Sequence, residues 1–164
     1  MKKSYEERAK LFIKQVYPFI RNCKTVEEYE TAVHMFNRTY HRAVKVNHGQ
    51  TRIVLMTSDY VVKLDYGDRQ IIWGGCKNEY AIYKLAVKEG FDYLFAKITP
   101  IHMGRRYAYV MPFVPRVGTS SCDVEYKLKK KERAWVKKHC WDIHYGNYGW
   151  VNHKPMIIDY ACQC

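Results

Sequence analysis

An α+β fold is what this sequence predicts, and three observations predict it. Two segments near the N-terminus carry apolar residues at helical spacing, each behind a capping box. A β-branched and aromatic run follows, cut by the turn-forming NHGQ and SD. A further amphipathic helix then separates that run from two more strand-like segments and a closing hairpin. The expected arrangement is a five-stranded antiparallel sheet with one associated helix, two N-terminal helices and a short C-terminal part.

Residues 4–20 read as the first helix. Ser4 and Glu7 form its capping box, and Leu11, Phe12, Val16 and Phe19 form its stripe. Pro18 is expected to end or kink it, because proline lacks the backbone N–H. The second helix opens at Thr25 with Glu28 completing the box, and Val26, Tyr29, Val33, Phe36 and Tyr40 recur at steps of three and four. RAVKV (42–46), TRIVLMT (51–57) and YVVKLDY (60–66) read as a three-stranded antiparallel meander. Residues 74–90 read as a helix with Cys76, Tyr80, Ile82, Tyr83, Ala86 and Val87 on one face and Lys77, Lys84 and Lys88 opposite. Glu79 falls inside the apolar face, where a carboxylate is costly without a partner, so a buried ion pair is expected. LFAKITPIH (94–102) and YAYVMPFV (107–114) read as two more strands across a basic MGRR turn, and Pro112 and Pro115 mark a hinge. A basic helix is expected over 122–138, then YGWV and PMIIDYA as a hairpin across NHKP. The whole chain reads as one domain in three parts: helices 1–41, sheet and helix 42–114, and 115–164.

With 164 residues, roughly 70% of the unfolded chain's surface can be buried without a disulfide or metal staple. Lysine and arginine number 28 against 16 acids, a net charge of +12. That excess favours an acidic partner: nucleotide phosphates, an acidic protein or, as a further option, nucleic acid. Strands that interleave Tyr107 and Tyr109 with Arg105 and Arg106 admit base stacking as well as ordinary packing. No apolar run is long enough for a membrane span, and MKKSYEERAK does not lead into a signal-peptide core. A cytoplasmic protein with free thiols is expected from its six cysteines, none of which forms a C-x-x-C pair. A zinc set of His139, Cys140, His144, Cys162 and Cys164 is conceivable, but its spacing matches no closed zinc motif.

The densest chemistry lies in WDIHYGNYGW, 141–150, followed by PMIID. Phosphoryl transfer needs a neutralised triphosphate, a divalent cation and a carboxylate beside the attacking hydroxyl. Asn147 and Asp159 can supply oxygen ligands to Mg2+, and Asp142 can accept or orient the hydroxyl proton. A strand lysine, Lys63, can reach phosphates if a carboxylate braces it, and Glu79 is the natural brace.

In that order these parts resemble the protein-kinase-like superfamily. DIHYGN is similar to the D-x-H-x-G-N loop of aminoglycoside and choline phosphotransferases and of small kinase-like proteins of tailed phages; PMIIDYA resembles their metal-binding strand end. The resemblance spans residues 42–160. It implies a minimal kinase-like fold using ATP and Mg2+: a five-stranded N-lobe sheet with an αC-like helix, and a truncated C-lobe with a catalytic-loop hairpin. It further implies that Lys63 contacts the α- and β-phosphates with Glu79 as its brace, that Asp142 is the catalytic base, and that Asn147 and Asp159 hold metal. Met111 and Phe113 of the hinge would meet adenine, Gly49 the phosphates, and His144 the loop or the phosphates. If the chain is phage-encoded, its location would be the host cytoplasm. Three departures stand out: no G-x-G-x-x-G in the first hairpin, Cys140 two residues before Asp142, and Tyr160-Ala161 after Asp159. The sequence ends five residues after Asp159, so either an acceptor rests on the N-terminal helices, on the basic 122–138 segment or on a partner, or there is no acceptor; an oligomer is a further expectation.

Each residue also has a bland role: Lys63 an edge lysine, Glu79 a surface pair, Asp142 and Asn147 turn formers, Asp159 a strand end, His144 a loop histidine. Their joint order favours a kinase-like phosphotransferase acting on a hydroxyl, with a protein as one candidate acceptor. A pseudokinase that binds nucleotide or protein without turnover and a basic nucleic-acid-binding module are the alternatives.

Overall fold

The computed structural model describes residues 3–49, 52–65, 75–104, 106–115, 127–140, 145–152 and 154–160. The chain divides into two units: residues 1–72 with 98–113, and 73–97 with 114–164.

In the first unit, α1 spans Tyr5–Ile20 and α2 spans Val26–Tyr40. Both capping boxes form: Ser4 with Glu7, and Thr25 with Glu28. Pro18 does not end α1, which continues to Ile20, and the N–H of Arg21 still bonds to the Tyr17 carbonyl at 2.9 Å. Proline in the last turn removes one bond without blocking that final closure. After α2, His41 adopts a left-handed conformation (φ 49°). The Asn37 amide then clamps Val44 at both backbone groups, at 2.8 and 3.1 Å.

Five strands follow: β1 (Lys45–His48), β2 (Arg52–Met56), β3 (Tyr60–Asp65), β4 (Thr99–Met103) and β5 (Arg106–Pro112). They form the expected five-stranded antiparallel sheet, in the order β1-β2-β3-β5-β4. The meander's first strand starts three residues later than expected. The expected strand 94–102 is corrected to Thr99–Met103: Asp92–Leu94 coil into a 3-10 turn, and Phe95 makes an isolated bridge to Ile157. A short apolar run cannot by periodicity alone distinguish a strand from a buried turn.

One sheet face carries Ile53, Leu55, Val62, Leu64, Ile101, Ala108 and Val110, all buried with α1 and α2 residues in a single core. Phe36 is fully buried there, with its ring edge-on to Phe12 and Phe19 at 5.5 and 5.6 Å. Alternation along the strands therefore assigns Lys63, Val61, Val54, Tyr109 and Met111 to the opposite face.

The second unit contains α3 (Gly75–Glu89), α4 (Lys130–His139) and the hairpin of β6 (Tyr148–Val151) and β7 (Lys154–Ile157). The α3 segment lies in the same unit as the hairpin. The reason is aromatic: Phe91 and Phe95 following α3 pack on Trp135 of α4, and Phe95 packs on Tyr160 beyond β7. Trp135 donates its indole N–H to Glu89 at 2.6 Å, and Tyr93 donates to Glu132 at 2.8 Å. Val87, expected on the buried face of α3, is instead 51% exposed. Of the expected helix over 122–138, residues 122–126 lie outside the described residues; Lys129 is extended and α4 starts at Lys130, where Glu132 accepts the Lys129 N–H at 2.7 Å. The chain passes from the first unit to the second between Phe113 and Val114.

Candidate functional site

The hairpin β6–β7 fixes the spacing of the two residues expected to hold metal. Asn147 sits in the 3-10 turn Tyr145–Asn147 that leads into β6, and Asp159 lies two residues beyond β7. The pairing of Tyr148 with Ile157 brings the two ends together. The Asn147 carbonyl accepts the N–H of Ile158 at 2.8 Å and that of Asp159 at 3.4 Å. Asn147 is buried and Asp159 half-buried. Gly149 permits the hairpin's close approach: a Cβ there would stand 2.4 Å from Val114 Cγ1 and 2.9 Å from the Pro115 carbonyl oxygen.

Glu79 joins this group from α3. Its side chain is fully buried, as the helical wheel predicts, and accepts the N–H of Tyr160 at 3.2 Å. Tyr160 is fixed in turn: its hydroxyl donates to the Ala96 carbonyl at 3.3 Å, and its ring meets Phe95 at 4.7 Å. Burial, followed by the Glu79 charge, holds the Tyr160 phenol well above its ordinary pKa. A continuous set of contacts within the second unit thus links Glu79, Tyr160, Asp159 and Asn147.

Lys63 lies in the first unit, on the face opposite the N-terminal helices, and is only 5% exposed. Its register partners are Val54 on β2 and Tyr109 on β5. Met111 shares that face and is buried; Val54 and Val61 are half-buried beside Lys63. These two valines were missed in the sequence, although strand alternation counted from Lys63 identifies them. Phe113 is exposed, and its backbone N–H is engaged with the Asp59 carbonyl at 2.9 Å. An adenine at this hinge would have to use other groups. The Gly49 N–H donates to the Arg52 carbonyl at 2.9 Å, and a Cβ at Gly49 would meet nothing within 4 Å. Asp142 and His144 lie outside the described residues.

Among the described residues no group of three or more His, Cys, Asp or Glu converges as a metal site. Of the zinc set, Cys140 is buried and in no disulfide, and His139 packs on the Trp135 ring at 4.5 Å. His144, Cys162 and Cys164 of that set lie outside the described residues. The pair Asn147 and Asp159 does fit Mg2+, which needs one or two protein oxygens and completes its shell with water and phosphate. Cys23 and Cys76 form no disulfide either. No helix among the described residues is long and apolar enough to cross a membrane.

No protein-family model and no curated protein sequence matches the chain. A similar solved structure is the streptomycin–ATP–APH(2")-IIa ternary complex, an aminoglycoside phosphotransferase, at 18% identity and a TM-score of 0.34. The alignment covers 66% of this chain and 36% of that one, so this chain spans little more than a third of its neighbour's length. The functional reading therefore rests on this chain's own residues.

Proposed function

We propose that the chain is a kinase-like phosphotransferase that binds ATP with Mg2+ and passes the γ-phosphate to a hydroxyl. The observation that carries this reading is the linked group of Glu79, Asn147 and Asp159: the Asn147 carbonyl accepts the Ile158 and Asp159 N–H groups at 2.8 and 3.4 Å, and the Glu79 carboxylate accepts the Tyr160 N–H at 3.2 Å. In protein kinases the metal ligands are the catalytic-loop asparagine and the aspartate at the following strand end, while a lysine on the third strand pairs with a helix glutamate. Lys63 is on the third strand here, and Glu79 is on the next helix.

In this reading Asn147 and Asp159 hold Mg2+, which when bound would offset the triphosphate charge. Lys63 binds the phosphates and Glu79 orients it, while Val54 and Val61 give the base an apolar wall. Asp142, five residues before Asn147 in the chain, receives or orients the acceptor's proton. Phosphoryl transfer depends mainly on such positioning and charge stabilisation, so a small scaffold is chemically sufficient. The +12 charge favours an acidic acceptor, and a hydroxyl on an acidic protein meets that requirement.

The test is transfer of radiolabel from ATP in host lysate by wild type, Asp142→Ala and Asp159→Asn. A loss of roughly 10²–10⁴-fold in both variants is expected. Equal labelling in all three would remove the enzyme. If transfer is absent while Mg-ATP still raises the melting temperature, the chain is a nucleotide-binding pseudokinase. If neither occurs and nucleic-acid binding falls steeply with salt, it is a basic nucleic-acid module.

A further inference from the structure

On the helix-packed side of the first unit, a cavity of about 320 Å³ opens between α1, the segment joining α2 to β1, and the β2–β3 turn. That volume lies at the small end of the range for small-molecule sites. Its walls are of two kinds. Leu11, Phe12, Val44 and Tyr60 supply apolar surface; Arg8, Arg42 and Asp59 supply charge.

The charges do not cancel. Arg8 is fully committed: its Nε bonds to Asp59 at 2.7 Å, its Nη2 stands 2.5 Å from the same oxygen, and its Nη1 donates to the Lys3 carbonyl. Asp59 is thereby neutralised. Arg42 pairs with no carboxylate among the described residues, so the cavity retains one positive charge.

The walls are also held in place before any ligand arrives. The Asn37 amide clamps Val44 two residues beyond Arg42, and the Arg42 N–H bonds to the Asn37 carbonyl at 3.0 Å. Opposite, the Thr57 hydroxyl donates to the Tyr60 carbonyl at 2.7 Å and accepts the Tyr60 N–H at 3.1 Å. The Tyr60 and Phe12 rings meet at 5.9 Å. Such rigidity lowers the ordering cost of binding.

From the unpaired Arg42, the apolar wall and the clamped loops, we propose that this cavity is a second binding site, for a small organic anion: a phosphate or carboxylate on a compact apolar body. Arg42 takes the anionic group, since a guanidinium offers paired donors in the geometry of such oxygens. Phe12, Leu11, Val44 and Tyr60 take the body. Because this cavity lies on the helix side of the sheet and Lys63 faces the other way, the site does not depend on the phosphotransferase reading.

Phenyl phosphate is a probe with both features; inorganic phosphate carries only the anion and benzyl alcohol only the body. Titration of each into the full chain, followed by amide NMR shifts and thermal shift, tests the site. Saturable shifts at 42–44 and 57–60 are expected with phenyl phosphate, at an affinity at least tenfold above that for either partial probe. Arg42→Gln should weaken phenyl phosphate about tenfold and Arg42→Lys less, while Lys63→Met should leave it unchanged. Absence of saturation, equal affinity in Arg42→Gln, equal affinity for inorganic phosphate, or loss in Lys63→Met would each overturn the proposal.

Discussion

The backbone N–H of Tyr160 donates to the carboxylate of Glu79 at 3.2 Å, across 81 positions of sequence. A helix glutamate thereby holds the strand end that bears Asp159. The bond also meets the cost of a fully buried carboxylate in part, since buried acceptors must be bonded.

Removing that acceptor should be costly. Glu79→Ala leaves the Tyr160 N–H without its carboxylate, and a loss of roughly 1–3 kcal/mol in urea unfolding is expected. Glu79→Gln keeps an oxygen in place and should lose less stability, yet lose the label transfer of the proposed reaction. Equal effects of the two variants on both readouts would mean that the carboxylate is only structural.

The hairpin has its own weak point at Gly149. An added methyl meets Val114 and the Pro115 carbonyl oxygen, well inside contact distance. Overpacking of this kind costs about 1–3 kcal/mol. Gly149→Ala should therefore lower the melting temperature and reduce the Mg-ATP-dependent stabilisation more than a surface alanine substitution does.

If Asp159 holds Mg2+ as proposed, metal binding is separable from folding there, since Asp159 is half-buried. Asp159→Asn should unfold near the wild-type midpoint without ligand. With Mg-ATP at about 100 times its Kd, wild type should gain roughly 2.7 kcal/mol, and the variant much less. A full gain in the variant would place the metal elsewhere.

Alkaline pH should expose the buried phenols. Burial, reinforced by Asp59, pushes Tyr60 up to about 12 from 10.0, and burial also holds Tyr160 well above 10.0. A phenol with a raised folded pKa favours the fold while protonated. Its contribution is full below pH 10 and is lost as pH rises through 10 to 12 for Tyr60. Melting temperature measured from pH 8 to 12 should fall above 10, and Tyr60→Phe should flatten that fall.

The first unit's core should fail at Phe36. Its ring is fully buried between Phe12, Phe19 and Tyr40, and Phe36→Ala should cost roughly 3–5 kcal/mol. Thr25→Ala, which removes the α2 cap, should cost about 1 kcal/mol. Chemical denaturation of the two variants checks both figures and their ratio.

Local signals determined much of this protein. Capping boxes and apolar spacing specify α1 and α2, and NHGQ and SD set the meander. Glu79 on an apolar face announces its own burial. These follow from the sequence alone because each depends on residues within one or two turns, or on the two-residue alternation of a strand. Tertiary structure alone decided the rest. Phe95 left its expected strand to pack on Trp135 and Tyr160, contacts 40 and 65 positions away. The same aromatic packing drew α3 to the hairpin, and only the fold put the Tyr160 N–H on Glu79 or left Arg42 at a cavity without a carboxylate partner among the described residues. Such outcomes are set by which distant surfaces bury together, and no local pattern encodes the partner.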